Sequence, residues 1–269
     1  MSILSSAFNQ SRQLSNPICP NIDPLELYAA AIDTSNYVDV VAALIRQSVP
    51  SLGDLLDIGA GGGQLGHALR DPQHRWTAIE PSSSMRILLS RFDDAPQLIA
   101  NCWEAADLGP GEYDTVLAAS MPAPLREPEE FLARCLTWTR RSVIWVVPAQ
   151  LGPRGLCFAG CMPVTWHGED ETPGIDIVLR GLSPSAKPNS VEIAEWTFSG
   201  IVRDLEILAS YLADRLGWSP SDSRRAEMLA HLARQARPDP GGYRLEIPRK
   251  SAVLVWGESC VSRGCVPAS

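Results

Sequence analysis

Residues 55–69 read L-L-D-I-G-A-G-G-G-Q-L-G-H-A-L, and no other stretch restricts the chain as much. An apolar strand end meets an acid, Asp57, then glycines at 59, 61, 62 and 63, then the start of a helix. Glycine permits a sharp bend and lets a ligand lie against bare backbone. The helix that follows offers unpaired N–H groups at its first turn. A second apolar run, residues 76–79, ends in another acid, Glu80, 21 residues after Gly59. An acid at that separation suits the two hydroxyls of a ribose. Together these features predict a nucleoside site in a doubly wound α/β domain.

The surrounding pattern agrees. Apolar runs predict strands at 54–58, 75–79, 97–100, 113–118 and 142–147, alternating with helices at 64–69, 85–92 and 128–140. That rhythm means parallel strands joined by right-handed crossovers, with ligands bound outside the carboxyl ends of the strands. Two helices precede the first strand, one opening at Asp23-Pro24 and one over 35–47. Beyond the fifth strand, 191–198 alternates as a strand, 201–216 and 221–236 read as helices with Ser221 as a cap, and 243–247 and 252–256 read as strands.

The glycines alone leave the nucleoside open, because Gly61-x-Gly63-x-x-Gly66 also fits the dinucleotide fingerprint of a nicotinamide-dependent oxidoreductase. Asp57 weighs against that reading. A carboxylate at the strand tip repels a pyrophosphate and suits a ligand with an ammonium group. S-adenosyl-L-methionine carries such a group, with a ribose and an adenine and no phosphate. Here the chain resembles the class I S-adenosylmethionine-dependent methyltransferases, whose first motif is an acid followed by G-x-G-x-G (Asp57, Gly59, Gly61, Gly63) and whose second is the acid ending the next strand, Glu80.

The resemblance implies a mostly parallel seven-stranded sheet of Rossmann-like type with an antiparallel last strand, and a helical lid formed by the two late helices. It implies S-adenosyl-L-methionine as cofactor and a small-molecule acceptor. Cofactor-binding positions would be Asp57, Gly59, Ala60, Gly61, Glu80 and Pro81, then Cys102, Trp103 and Glu104 after the third strand, where Trp103 would stack on the adenine, and Ala119 and Ser120 after the fourth. Tyr28, on the helix ahead of the first strand, would close the pocket, with Met121 and Gln150 as acceptor-side liners. The loop after the fourth strand reads Ser120-Met121-Pro122-Ala123 rather than the D/N-P-P-Y/F of many amino-group methylases, which speaks against nucleobase or amide nitrogen as acceptor and keeps a non-catalytic nucleoside-binding relative in view. A looser likeness, to methyltransferases encoded beside metal-chelate uptake transporters, rests on Trp103-Glu104, Trp196-Thr197-Phe198 and the R-x-x-A-x-x-x-W of residues 249–256.

His167 stands beside Glu169, Asp170 and Glu171 and is the one candidate general base, with carboxylates expected to favour its protonated form. No cysteine spacing fits a zinc site, so no metal is expected, and seven scattered cysteines suit reduced thiols. A net charge of −8 gives no general attraction to nucleic acid, and no apolar run is long enough for a membrane span. With no secretory signal pattern, a cytoplasmic location is expected. A homodimer is left open. The domain is expected over 23–257, with a cofactor half at about 50–150 and an acceptor and lid half at about 151–257, between a flexible arm (1–22) and a flexible tail (258–269).

Overall fold

A computed structural model describes residues 22–121, 123–152, 157–167 and 172–257. The predicted arm, apart from Ile22, and the tail lie outside the described residues. Two helices come first, α1 (Pro24–Thr34) and α2 (Tyr37–Ser48). The alternating unit follows: β1 (Leu55–Ile58), α3 (Gln64–Leu69), β2 (Trp76–Ile79), α4 (Ser83–Leu89), β3 (Gln97–Ile99), β4 (Tyr113–Ala119), α5 (Pro128–Trp138) and β5 (Thr139–Pro148). The second half holds α6 (Val164–His167), α7 (Gly174–Gly181), β6 (Ser190–Val202), α8 (Leu205–Arg215), α9 (Arg224–Gln235), β7 (Arg237–Asp239) and β8 (Gly242–Gly257).

The strands form one sheet in the order β3-β2-β1-β4-β5-β8-β6, with β7 paired to β8. The first five are parallel, and β8 runs antiparallel to both β5 and β6. β1 is buried along its whole length, as expected of a parallel strand covered by helices on both faces. The order reverses between β1 and β4, which opens a crevice at their carboxyl ends. Apolar clusters fill both faces: α1, α2, α8 and α9 contribute to one, and α5 and α7 to the other.

Four expectations are corrected here. The sheet has an eighth strand, because the chain turns back at 240–241 and β7 pairs with the start of β8. The strands predicted at 243–247 and 252–256 are one strand of 16 residues. Pro248 does not break it: the opposing Thr197 turns its N–H away from β8, to Asn36 Oδ1 at 2.7 Å, and the β5 pairing reaches only to Ser251. A proline is tolerated where no ladder bond is asked of it. Extended β8 in turn holds Ile201 and Val202 in β6, so α8 begins only at Leu205, capped by Asp204, whose Oδ1 accepts from Glu206 N at 2.7 Å. Ser221 is not a cap either, since α9 starts after Ser223.

The α1–α2 corner is anchored on the open edge of β6. Ser35 Oγ accepts from Ser199 N at 2.8 Å, and Thr34 Oγ1 donates to the Ser199 carbonyl. These bonds and the Asn36 contact satisfy backbone groups that an edge strand otherwise exposes. On the other side, Gln64 Nε2 donates to Asp33 Oδ1 at 2.8 Å and Ser84 Oγ donates to Asp23 Oδ2 at 3.2 Å. α1 therefore spans the crevice from β6 to the starts of α3 and α4. Among the described residues, no helix is long and apolar enough to cross a membrane.

Candidate functional site

Two adjoining cavities open at the carboxyl ends of the strands. The larger, 330 Å³, lies between α1 and the β1–α3 turn, and is lined by Asp57, Gly59, Ala60 and Gly61, by Glu80 and Pro81, and by Ala119, Ser120 and Met121. From α1 come Leu25, Tyr28, Ala29 and Ile32. The smaller, 120 Å³, lies between β5, β6 and β8, with Gln150, Cys157, Trp196, Phe198, Arg249 and Lys250 in its walls. Tyr28, Ser120 and Met121 belong to both linings and form the seam between them.

The β1–α3 turn is built from glycines with positive φ, +61° at Gly59 and +58° at Gly61. A Cβ on Gly59 would come within 2.5 Å of Met121 Sδ, whereas one on Gly61 would meet nothing within 4 Å because it would project into open space. Gly66 matters for another reason: a Cβ there would lie 2.1 Å from Asp57 Oδ2, so only glycine lets α3 approach the strand tip so closely. Ser120, at the end of β4, also holds a positive φ of 57°, a rare state for a residue with a Cβ. Such outliers are commonest where a site over-determines the backbone.

Two carboxylates face the larger cavity, in different states. Glu80 is buried, and both its oxygens are engaged: Oε2 accepts from Gly61 N and Oε1 from Ser82 N, each at 2.8 Å. It braces the turn and keeps lone pairs for further donors. Asp57 is 3% exposed, and its Oδ2 has no hydrogen-bond partner. Burial pushes its pKa up to about 7; the nearby Trp76 indole works against that rise and Glu80 adds to it. Among the described residues this cavity has no basic side chain in its lining. The smaller cavity is the reverse, with Arg249 and Lys250 and no carboxylate among the described residues.

Of the residues singled out in the sequence, Asp57, Gly59, Ala60, Gly61, Glu80, Pro81, Ala119, Ser120, Tyr28 and Met121 meet at the larger cavity, and Gln150 at the smaller. The turn after β3 departs from expectation. Trp103 is 6% exposed and packs edge-on against Phe131, ring centroids 5.0 Å apart, so it is a core residue rather than a stacking surface. Cys102 and Glu104 are exposed, and neither they nor Trp103 line either cavity. His167 is also displaced: it ends α6, lines neither cavity, and burial lowers its pKa rather than raising it. The acids expected beside it lie outside the described residues. The cover over the larger cavity is α1, since α8 and α9 contribute to neither lining.

The sequence reading missed Arg249 and the Trp196–Phe198 pair as cavity residues, although all three belong to its looser motif likeness. It also missed Asp54, His74 and Asp114, which gather at the opposite end of the sheet with ligand atoms within 4.8 Å of one another. There Arg140 pairs with Asp54 and Asp114, and Arg75 with Asp54, so the carboxylates already have cations. Cys102, Cys135, Cys157 and Cys161 are free thiols.

No protein-family model and no curated protein matches the sequence. Solved structures do align. One, described as a methyltransferase from an antibiotic biosynthesis pathway of Anabaena variabilis, has 16% identity and a TM-score of 0.49 over 81% of this chain and 96% of its own. The YcgJ protein of Bacillus subtilis has 12% identity and a TM-score of 0.48 over 82% and 98%. An S-adenosylmethionine-dependent methyltransferase of Thermotoga maritima has 11% identity and a TM-score of 0.44 over 87% and 97%.

Proposed function

We propose that the protein is an S-adenosyl-L-methionine-dependent methyltransferase acting on a small molecule. The observation that carries this reading is the charge of the larger cavity: two buried carboxylates, one with an oxygen that lacks a hydrogen-bond partner, and no basic side chain among its described residues. A pyrophosphate brought there would meet like charge, whereas a nucleoside with an ammonium and a sulfonium meets opposite charge. The open space above Gly61 leaves room for a ligand against the backbone.

Asp57 would hold the ammonium end, Glu80 the ribose hydroxyls, and the α1 residues Leu25 and Ile32 the apolar side. The cofactor supplies an electrophilic methyl group on a good leaving group, so the protein's share is alignment and exclusion of water. The seam residues serve that end. Burial raises the Tyr28 phenol above its usual range, so it stays neutral and acts as a hydrogen-bonding wall rather than a base. The Cys157 thiol, pushed up to about 12 by burial, likewise stays protonated at neutral pH.

Calorimetric titration tests the reading. S-adenosylhomocysteine is expected to bind and NADH to give no heat. NADH binding without S-adenosylhomocysteine binding would establish the nicotinamide alternative instead.

A further inference from the structure

Among the described residues, Arg249 is a cation without a counter-ion. Its side chain lines the smaller cavity and makes no hydrogen bond or ion pair among the described residues. Its one recorded contact of the cation–π kind is with the Phe198 ring, 5.8 Å from the guanidinium carbon to the centroid. Its neighbour in sequence shows the contrast, since Lys250 Nζ sits 2.6 Å from Glu195 Oε1. Gln150 Oε1 accepts from the backbone N–H of Lys250 at 2.5 Å, and no bond from Arg249 to it is present.

Among the described residues, the titratable groups that act on the guanidinium are neutral. Tyr28, Cys157 and Cys161 face it, and burial holds all three in their protonated forms. The same burial draws the Arg249 pKa below its usual value, the direction expected for a cation short of water and of a counter-ion. Met121, Leu125, Trp196 and Phe198 give the remaining walls an apolar side, and Ser120, Gln150, Lys250 and Ser251 a polar one. The volume, 120 Å³, is close to the cavity of about 150 Å³ that accepts benzene.

We propose that the methyl acceptor is a small carboxylate with an apolar body of about benzene size, and that Arg249 binds its carboxylate. This rests on the methyltransferase reading for the word acceptor; the anion site itself does not. A guanidinium presents parallel N–H groups that match a carboxylate's two oxygens. The apolar walls take the body, and the seam at Tyr28, Ser120 and Met121 brings its far end to the cofactor side. A dianionic phosphate ester fits less well, since Lys250 is already committed to Glu195.

Benzoate and benzamide, alike in shape and different in charge, are the probes. With the protein saturated with S-adenosylhomocysteine, benzoate is expected to bind about tenfold or more tighter than benzamide by calorimetry. In Arg249→Met the preference disappears, and in Arg249→Lys part of it remains, with S-adenosylhomocysteine affinity held within about twofold in both because Arg249 is outside the larger cavity. Equal or tighter binding of benzamide, a preference that survives in Arg249→Met, or no binding of either probe overturns the proposal. The wild-type comparison stands even where a variant does not fold. A benzoate preference in a protein that does not bind S-adenosylhomocysteine would support the anion site and remove the cofactor reading alone.

Discussion

The two cavities share a wall and differ in almost everything else. The larger is acidic and made from the first half of the chain, with backbone bared by glycines along one side. The smaller is basic and aromatic, and takes most of its walls from the second half. On the proposed reading, opposite charge on the two sides of one seam would let each half select its own ligand, because exchanging the ligands would set like charges together at low dielectric. In the first cavity backbone geometry creates the site, and in the second, side chains do.

Removing the charge from the acidic side should have the largest effect. Asp57→Asn is expected to weaken S-adenosylhomocysteine binding by about a hundredfold, the scale of a buried charge pair losing one member. The same change should make the free protein more stable at pH 8. The folded carboxyl has a pKa of about 7, above its unfolded value of about 3.9. The folded state therefore binds the proton more tightly, and stability is lost as pH rises through that window. An uncharged Asn escapes that loss, so the melting temperature at pH 8 should rise by several degrees and that at pH 4 should change little. A melting temperature that falls equally at both pH values would mean that Asp57 is structural.

The pH dependence of binding sharpens the same point with a smaller effect. With the ammonium held by ionised Asp57, as proposed, wild-type affinity should fall by about tenfold per pH unit below 7 and level off above it. Asp57→Asn should flatten that profile. A wild-type affinity that does not change between pH 5.5 and 8 would place the ammonium elsewhere.

The asymmetry between the halves also explains what could be read from the sequence. Glycine spacing, acids at strand ends and the strand–helix rhythm are local signals, and they placed Asp57, Gly59, Gly61 and Glu80 around one cavity. The second cavity depends on contacts far apart in the chain. Arg249 lies opposite Trp196 only through the β6–β8 register, and Tyr28 reaches Phe198, ring centroids 6.3 Å apart, only because residues 34–36 are tied to the edge of β6. No periodicity announces such pairings. Trp103 misled for a related reason: a tryptophan after a strand suits a ligand wall and a core equally until its neighbour Phe131, 28 residues away, is placed.

Trp103→Ala separates those roles. It should cost about 3–5 kcal/mol of stability, as expected for an emptied aromatic site in a core. Below the lowered melting temperature, S-adenosylhomocysteine affinity should stay within about threefold of wild type, because Trp103 lines neither cavity. A loss of about tenfold or more at full folding would return Trp103 to the adenine wall.

Lys250→Gln should have the smallest effect and bears most directly on the basic side. Lys250 and Arg249 are adjacent and both line the smaller cavity, so either carries charge enough to attract an anion. Their surroundings differ: Lys250 is exposed and paired with an exposed Glu195, a type of ion pair worth about 0–1 kcal/mol, whereas Arg249 is half-buried and unpaired among the described residues. Replacing Lys250 also frees Glu195, whose added negative charge is largely screened by solvent. Benzoate affinity should therefore change by less than about threefold, and the melting temperature by about a degree or two. A tenfold loss in Lys250→Gln alongside an unchanged Arg249→Met would move the anion site to the rim and leave the guanidinium as a packing element on Phe198.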